Sequence, residues 1–220
     1  MKKLIIFGTG DVSELAHYYF KNDSSYEIVG FVVDPEYHNN DTHCGLALVT
    51  FEEVTDKFPI ETHDAFIAVG YRKLNAFRAM KVKEFEELGY SLASYVSTRA
   101  SVLTEEAIGP NCFILEDNTI QPFVKIGKNV TMWSGNHIGH HSKIEDNCFI
   151  TSHVVISGNC CVGSSSFIGV NSTIRDNVKI GKENMIGAGC LILNDTDDKA
   201  VYSGQISEKS RVPSNRLRGI

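Results

Sequence analysis

Isoleucine, valine or methionine occupies every sixth position along the second half of the chain, without a break. An α-helix repeats its faces about every 3.6 residues and a strand every two, so neither element alone has this period. A period of six with one obligatory apolar residue predicts short strands joined by turns and stacked into a parallel β-helix. The sixteen anchor positions are Val102, Ile108, Ile114, Ile120, Ile126, Met132, Ile138, Ile144, Ile150, Ile156, Val162, Ile168, Ile174, Ile180, Ile186 and Ile192.

A second, compact position follows each anchor by four residues and is usually small or β-branched. One large and one compact side chain per flat side would fill a prism-shaped interior without overpacking it. Glycine often follows the anchor directly, as at Gly127 and Gly139, and we expect these glycines to supply unusual backbone angles at the corners. The compact positions are Cys112, Val124, Val130, Ser142, Cys148, Val154, Cys160, Ser166, Ser172, Val178 and Cys190.

The first ninety residues lack this period and predict a separate α/β domain. Short apolar runs are typical of buried parallel strands, and an apolar-periodic stretch closed by Gly89 predicts a helix that stops there. Strands alternating with helices indicate a small parallel sheet flanked by helices. The predicted strands are 3–7, 27–33 and 64–70, the predicted helices are 13–21 and 73–88, and the predicted domains are 1–93, 94–193 and a C-terminal tail, 194–220.

A glycine-containing loop, Gly8-Thr9-Gly10, directly follows the first predicted strand. In parallel sheets this is the position at which a phosphate approaches the backbone. The third glycine of the dinucleotide pattern is replaced by Ser13, and the domain is short for a full dinucleotide fold. We therefore expect a nucleotide monophosphate or a nucleotide-sugar. Asp34, at the end of the second strand, is a candidate to bind ribose or base, and it is also an ordinary turn residue before proline.

Four of the eight histidines fall in the middle of the repeat region: His137, His140, His141 and His153. None occupies an anchor or a compact position, so we expect all four to face away from the β-helix interior. Imidazole titrates near neutral pH and is a suitable proton acceptor for acyl transfer to an amine or a hydroxyl. The histidines are therefore candidates for catalysis.

The glycine loop, the hexapeptide period, and a histidine-containing turn followed by Ile-x-x-x-Cys-x-Ile together resemble one family. They are similar to bacterial sugar acetyltransferases of the sialic-acid and bacillosamine type, within the left-handed β-helix hexapeptide acyltransferases. The resemblance implies a Rossmann-like N-terminal domain, a left-handed β-helix with three hexapeptides per coil, and a homotrimer with acetyl-CoA in the groove between neighbouring β-helices. It also implies N-acetylation of a UDP- or dTDP-linked amino sugar, such as a 4-amino-4,6-dideoxyhexose, for surface-polysaccharide or other glycan synthesis.

Position by position, the resemblance implies that His140 is the general base and that the N–H of Gly158 polarises the thioester carbonyl. It implies contacts of Val170 and Ala188 with CoA, and it assigns the nucleotide to Gly8, Thr9, Gly10 and Asp34. No metal is implied.

The sequence departs from this family directly after the proposed base. Family members usually carry Asp or Glu there, and this chain has His141, which we group with the substrate-binding residues. Glu145 or Asp146 could replace the missing acid, or another group could orient His140. Trp133 could stack on the apolar face of a deoxy sugar or lie in a trimer interface.

Three alternatives remain open at this point. Zinc-dependent carbonic anhydrases also use left-handed β-helices, and His137, His140 or His141, and His153 could supply three ligands. A binding protein with a decayed acyl site would keep the nucleotide domain without turnover. A sugar O-acetyltransferase would use the same groove and base, although a neutral amine tolerates a weak base better than a hydroxyl does.

Composition narrows the class of partner. The formal net charge of −6 argues against nucleic-acid binding, which normally requires a basic surface. No apolar run is long enough to span a membrane, and the run after Lys3 stops at Gly8, too early for a signal peptide. Four of six cysteines occupy compact interior positions, which is typical of reduced core residues. We therefore expect a cytoplasmic enzyme.

Overall fold

The N-terminal domain is a five-stranded sheet with helices on its faces, in the strand order β3-β4-β2-β1-β5. The computed structural model describes residues 2–216, so Met1 and the predicted tail beyond 216 lie outside the described residues. All pairings in this sheet are parallel except the β3–β4 hairpin. The elements are β1 Lys2–Phe7, α1 Asp11–Asn22, β2 Tyr26–Val33, β3 Thr42–His43, β4 Leu46–Thr50, α2 Val54–Lys57, β5 His63–Ile67 and α3 Ala76–Leu88, with 3₁₀ turns at Pro35–Tyr37 and Phe51–Glu53.

The three predicted strands and two predicted helices of this domain are confirmed. The β3–β4 hairpin and α2 were not predicted, because their apolar runs are too short to show a period. Helix α3 begins at Ala76, later than predicted, because Lys73, Leu74 and Asn75 all have left-handed backbone angles. Gly89 ends α3 in a left-handed conformation (φ 95°), as predicted.

The buried face of α3 differs from the apolar positions in the sequence. Met80 is 44% exposed, whereas Arg78 and Lys81 are buried. The Arg78 guanidinium donates to Asn129 Oδ1 at 2.9 Å and to the carbonyls of Asn129 and Asn147 at 3.2 and 3.3 Å. Burial lowers the pKa of Arg78 to about 10. Helix α3 is therefore held on two sides: Val82 and Phe85 pack in the hydrophobic core of the N-terminal domain, and Arg78 bonds to polar groups of the β-helix.

The second half of the chain is a parallel β-helix with three faces. Strand partners from β6 to β21 are eighteen residues apart, as Lys125 pairs with Lys143, so three hexapeptides form one coil. The last strand, β22, pairs with β20 at a spacing of sixteen residues. The strands are β6 Tyr95–Val96, β7 Ser101–Val102, β8 Phe113–Ile114, β9 Thr119–Ile120, β10 Lys125–Ile126, β11 Thr131–Met132, β12 His137–Ile138, β13 Lys143–Ile144, β14 Phe149–Ile150, β15 Val155–Ile156, β16 Cys161–Val162, β17 Phe167–Ile168, β18 Thr173–Ile174, β19 Lys179–Ile180, β20 Met185–Ile186, β21 Leu191–Ile192 and β22 Val201–Tyr202, followed by a 3₁₀ turn at Ser214–Arg216.

The three faces are defined by their strands. Face 1 has the order β22-β20-β17-β14-β11-β8-β6, face 2 has β21-β18-β15-β12-β9-β7, and face 3 has β10-β13-β16-β19. Face 1 includes β22, which lies beyond residue 193. The predicted domain boundaries stay predictions.

The interior follows the predicted pattern. All anchors from Ile114 to Ile192 are buried, while Val102 and Ile108 at the open first coils are partly buried and pack against the same core. Every predicted compact position is buried as well. Burial raises the pKa of Cys112 and Cys148 to about 12, so these thiols are neutral packing groups.

The glycines after the anchors are required by space and not by backbone angle, so that prediction was wrong. A Cβ on Gly139 would lie 2.5 Å from the backbone of Ser157 in the next coil, and Gly139 has no positive φ. The left-handed residue at each corner instead lies three positions after the anchor, as at His141 (φ 60°), Asn147 (φ 64°) and Asn159 (φ 55°). Asparagine suits this conformation better than most residues do.

The N-terminal domain packs on face 1. Tyr71 contacts the rings of Phe149 and Phe167, with centroid separations of 5.2 and 4.7 Å. Trp133 is partly buried against the hydrophobic cluster shared by the two domains. Asp23 accepts hydrogen bonds from Tyr95 and Thr98 at the start of the β-helix. Within residues 2–216, no helix has the length and apolar character needed to cross a membrane.

Candidate functional site

The predicted nucleotide loop lines a cavity in the N-terminal domain. Gly8, Thr9, Gly10 and Asp34 all border this cavity of about 510 Å³. The sequence therefore identified four residues that the fold brings together. Its other walls are Phe7, Asp11, Val12, Val33, Tyr37, Ala68, Val69, Gly70, Arg72 and Phe77.

Two of these loop residues have specific conformational requirements. Gly8 has φ 119°, and a Cβ there would lie 2.7 Å from the carbonyl oxygen of Ala68, so only glycine fits. Gly10 precedes the first turn of α1, where unpaired N–H groups favour an anion. Ser13, in place of the third glycine, is fully buried and donates its hydroxyl proton to the Gly10 carbonyl at 2.7 Å.

Asp34 is only partly available to a ligand. Its Oδ1 accepts a short hydrogen bond from the Lys81 ammonium, which also pairs with Glu84 at 2.8 Å. These two carboxylates raise the pKa of Lys81 although burial opposes the shift. The other oxygen of Asp34 is the group that could accept a hydrogen bond from ribose or base. Arg72, exposed at the rim, adds positive charge.

His140 and His141 lie together at the corner that joins β12 to β13. Their Nδ1 atoms are 3.1 Å apart, and the backbone N–H of His140 donates to Gln121 Oε1 at 2.8 Å. The His141 ring lies against Phe123, with a centroid separation of 4.6 Å and an angle of 35°. Both imidazoles are exposed to solvent. His141 is therefore held by an aromatic neighbour, and it in turn contacts the proposed base.

The pair of Nδ1 atoms has a defined protonation requirement. At 3.1 Å one nitrogen must carry the proton and the other must accept it, because two protonated or two unprotonated nitrogens would repel. Glu145 and Asp146 do not take this place, since Glu145 accepts from Ser164 N–H at 3.2 Å and Asp146 from Lys128 N–H at 2.9 Å. Neither Glu145 nor Asp146 therefore replaces the missing acid beside His140.

Gly158 lies directly below His140 in the next coil. A Cβ at Gly158 would be 2.6 Å from His140 Cε1 and 2.7 Å from Nε2, so the ring occupies the space that a side chain would need. The backbone N–H of Gly158 donates to Asp176 Oδ1 at 3.1 Å. The sequence-based prediction for this N–H included no acceptor within the protein, and Asp176 stands one coil, eighteen residues, after Gly158.

The other predicted site residues lie elsewhere on the β-helix. Val170 and Ala188 are exposed and stand one coil apart on the corner between faces 1 and 2. His137 lies within β12 on face 2, and His153 has its ring against Gly135. Among residues 2–216, the one group of three side chains suited to a metal lies in the N-terminal domain and contains none of these histidines.

The nucleotide cavity and His140 lie on different sides of a single chain. The N-terminal domain covers face 1, while His140 and Gly158 form the corner between faces 2 and 3. Trp133 packs with the domain on face 1 and not beside His140. One chain thus carries all the predicted parts of a site without bringing them together.

Comparison with known proteins assigns the fold. The family described as bacterial transferase hexapeptide (six repeats) matches residues 159–194. No curated protein matches the chain. Solved structures are similar over nearly the whole chain, at low sequence identity.

Three of these structures are similar to this chain over more than nine tenths of both chains. A variant of perosamine N-acetyltransferase from Caulobacter crescentus, solved with CoA and GDP-perosamine, is 18% identical over 91% of this chain and 93% of its own, with a TM-score of 0.81. WeeI from Acinetobacter baumannii is 19% identical over 93% and 97%, with a TM-score of 0.78. The acetyltransferase domain of PglB from Neisseria gonorrhoeae, solved with acetyl coenzyme A, is 20% identical over 91% and 95%, with a TM-score of 0.77. The chain therefore has the fold of these structures, a small α/β domain followed by a left-handed parallel β-helix.

Proposed function

We propose that the protein is an acetyl-CoA-dependent N-acetyltransferase whose acceptor is the amine of a nucleotide-linked amino sugar. The observation that carries this proposal is the corner at which the His140 ring lies against Gly158. Two proteins of the same fold are named as acetyltransferases and contain CoA or acetyl-CoA, one of them with a nucleotide-linked amino sugar. A place in surface-polysaccharide or other glycan synthesis, and action in the cytoplasm, form part of the proposal.

His140 is the proposed general base. The sugar nitrogen attacks the thioester carbon while His140 Nε2 accepts a proton from it, and the carbonyl π electrons move to oxygen. When this tetrahedral intermediate collapses, the C–S bond breaks and the CoA sulfur takes the proton from His140. General acid–base catalysis of this kind contributes about 10²–10⁴-fold to the rate. No metal takes part in these steps.

His141 is the proposed positioning residue for that base. When neutral His140 carries its proton on Nδ1, that N–H donates a hydrogen bond to His141 Nδ1. The Nε2 atom of His140 is then unprotonated and able to accept a proton from the substrate. A neutral imidazole stabilises the charged form of His140 less than a carboxylate would. An amine needs less help from a base than a hydroxyl, so this arrangement favours an amino sugar as acceptor.

Replacing His141 by Asp tests this role. A carboxylate would favour the imidazolium form of His140, so the acid limb of the pH–rate profile should move to higher pH and the plateau should rise a few-fold, by about 1 kcal/mol. His141→Asn, which keeps a hydrogen-bonding group without the charge, is the matched control and should not move the limb upward. An unchanged profile in both variants would remove His141 from the mechanism.

The Gly158 N–H is the proposed donor to the oxyanion. The β-helix backbone fixes the position of this N–H, and one such donor is worth about 3–4 kcal/mol. Asp176 holds this N–H in the free protein. The thioester oxygen must therefore displace a carboxylate to use the donor.

The nucleotide is proposed to occupy the N-terminal cavity. Its phosphates would lie at the loop formed by Gly8, Thr9 and Gly10, at the start of α1, with Arg72 balancing their charge. The free oxygen of Asp34 would accept a hydrogen bond from ribose or base. We propose a UDP- or dTDP-linked sugar.

A homotrimer is proposed because one chain separates the parts of the site. His140 lies between faces 2 and 3, Val170 and Ala188 lie between faces 1 and 2, and the cavity lies over face 1. If the His140 corner of one copy meets the cavity and the Val170 corner of another, base, thioester and amine come together. The acyl groove is then built from two copies.

The first experiment measures the release of free thiol from acetyl-CoA with a panel of UDP-, dTDP- and GDP-linked amino sugars. Release that depends on one sugar, with a product heavier by one acetyl group, is the expected result and identifies the nucleotide. Matched sugars with a hydroxyl in place of the amine separate N- from O-acetylation. Binding without thiol release for every sugar would overturn the transferase and favour a binding protein.

Complementation between two inactive variants tests the shared site. His140→Ala removes the base, and Gly10→Glu adds a negative charge at the phosphate position, where a Cβ meets no atom within 4 Å. If each site draws on two copies, co-expression of the two variants should restore activity that neither has alone. Mixed trimers that remain inactive would show that each chain carries a complete site.

A further inference from the structure

A cluster of metal-ligating side chains lies at the edge of the N-terminal sheet, apart from the nucleotide cavity. Glu14 on α1, His43 in β3 and Cys44 in the β3–β4 turn place one ligand atom each within 4.8 Å of one another. A tetrahedral zinc site requires ligand separations of roughly 3.5 Å, given Zn–N and Zn–S bonds of about 2.0–2.3 Å. Small rotations of the three side chains would bring their ligand atoms from within 4.8 Å to the separation that zinc requires.

His43 has a nitrogen with no hydrogen-bond partner. Its Nε2 is buried, and no protein group among the described residues bonds to it. A buried polar atom without a partner destabilises the folded state. The His43 ring stands edge-on to Phe31, with centroids 4.7 Å apart, which restricts the ring. An imidazole nitrogen that is buried, restricted and without a partner is a ready metal ligand.

Cys44 occupies an unusual backbone position. It forms a two-residue turn with Gly45, because Thr42 pairs with Ala47 and His43 with Leu46. Both turn residues have positive φ, 48° for Cys44 and 78° for Gly45, and turns of this type normally carry Asn or Asp before the Gly. Cysteine therefore costs stability at this position without a ligand.

A fourth donor lies one turn along α1. His17 follows Glu14 by three residues, on the same side of the helix. His17 and Cys44 line the same surface pocket.

We propose that Glu14, His43 and Cys44, with His17 as a fourth ligand, form a zinc site that ties α1 to the β3–β4 hairpin. A carboxylate, imidazole nitrogens and a thiolate are the ligands that zinc accepts. The charges of Glu14 and the Cys44 thiolate balance the cation. On binding, the Cys44 S–H bond breaks, the Zn–S bond forms, and the proton passes to solvent. This role is structural and independent of acyl transfer.

Cobalt and zinc binding to the full chain test the proposal. After treatment with a chelator, the protein should take up one zinc ion per chain, and Co²⁺ should give a thiolate-to-metal absorption band. Cys44→Asn is the informative variant, because Asn suits the left-handed turn and keeps the hairpin intact. It should lose the cobalt band and bind zinc at least about 100-fold more weakly. Thermal unfolding of the wild type, and not of this variant, should shift upward with zinc.

Cys161→Ser is the matched control, since Cys161 is the other cysteine that is not buried and lies in β16. It should bind both metals like the wild type. Glu14→Gln and His43→Gln should each weaken zinc binding while the circular dichroism spectrum is unchanged. Equal binding by wild type and Cys44→Asn, or no stoichiometric binding by the wild type, would overturn the site. Acetyltransferase activity is not needed for either readout, so failure here is distinguishable from failure of the proposed function.

Discussion

Two corners of the β-helix are capped in the same way and differ in what lies above the cap. At one corner Asp146 Oδ1 accepts the Lys128 N–H at 2.9 Å, and at the other Asp176 Oδ1 accepts the Gly158 N–H at 3.1 Å. In both cases the carboxylate stands eighteen residues, one coil, after the residue that it caps. A carboxylate that caps a turn N–H is therefore a device of the scaffold at both corners.

The difference lies in the capped residue. Lys128 carries a side chain that pairs with Glu86 of the N-terminal domain at 3.0 Å. Gly158 carries none, and the His140 ring fills the space. The absence of a side chain at Gly158 therefore distinguishes the candidate catalytic corner from the structural corner at Lys128. The capping hydrogen bond from the backbone N–H to an Asp carboxylate is the same at both corners. The following changes should break or sharpen this contrast.

Removing the imidazole should have the largest effect. We expect His140→Ala to lower kcat by about 10²–10⁴-fold, with KM for acetyl-CoA changed much less, because the base acts in the transition state. Lys128→Ala is the control at the matched corner and should keep its turnover. Sedimentation and circular dichroism would establish that both variants assemble and fold. A His140→Ala enzyme with near-normal kcat would contradict the proposed base.

Restoring a side chain at the second corner should have the next effect. In Gly158→Ala the new methyl group would lie 2.6 Å from His140 Cε1, so the ring must move, while the N–H donor stays in place. Displacement of a catalytic group by about 1 Å can cost about 100-fold. We expect a loss of kcat of about 10–100-fold with the fold intact, measured by thiol release. A normal kcat would mean that the ring position is unimportant.

Neutralising the carboxylates of Asp146 and Asp176 should separate an effect on turnover from an effect on stability. Asp176→Asn keeps an oxygen that accepts the Gly158 N–H and removes the negative charge next to the developing oxyanion. Its kcat should rise by up to about 10-fold, a fraction of the value of one oxyanion donor. Asp146→Asn should leave kcat unchanged. The two variants should change the free energy of unfolding, measured in urea, by similar amounts. A lower kcat in Asp176→Asn would show that the carboxylate assists the reaction.

A third carboxylate cap should give the smallest effect, on stability. Hydrogen bonds from Thr98 and Tyr95 lower the pKa of Asp23 from 3.8 to about 2. Because the folded-state pKa is depressed, this stabilisation is complete above pH 4 and is lost as the pH falls through about 2. Asp23→Asn should cost about 1 kcal/mol near neutral pH, reduced by exposure to solvent, and less in acid. Urea unfolding of both proteins at pH 7 and pH 3 would measure it.

The β-helix was predictable in detail because its signal is repeated. Each coil contains three hexapeptides with the same pair of buried positions, so the anchors and the compact positions follow from the sequence alone. The identity of the left-handed position was missed, although asparagine stands three residues after many anchors, as at Asn129 and Asn177. The glycines directly after the anchors were instead predicted to supply the unusual backbone angles. Close packing between coils, and not φ, is the constraint at those positions.

The candidate site was predictable residue by residue but not as an assembly. The four residues predicted to bind the nucleotide border one cavity, and the His140 ring lies against Gly158, while the roles assigned to these residues stay predictions. The acceptor on the Gly158 N–H and the ring of Phe123 against His141 are tertiary contacts, both across a full coil, and a local pattern does not report them. Likewise, no periodicity indicates that Arg78 of α3 would be buried.

The buried guanidinium of Arg78 has a consequence for the order of folding. Repeat proteins can fold coil by coil, because each coil contacts only its neighbours. Arg78 instead reaches carbonyls of Asn129 and Asn147, which belong to successive coils, and within residues 2–216 it has no carboxylate partner. Its charge leaves water only after both coils have stacked, since one coil alone satisfies too few of its donors. The middle of the β-helix and the N-terminal domain should therefore unfold as one cooperative unit, while the coils near the C-terminus are free to fray independently.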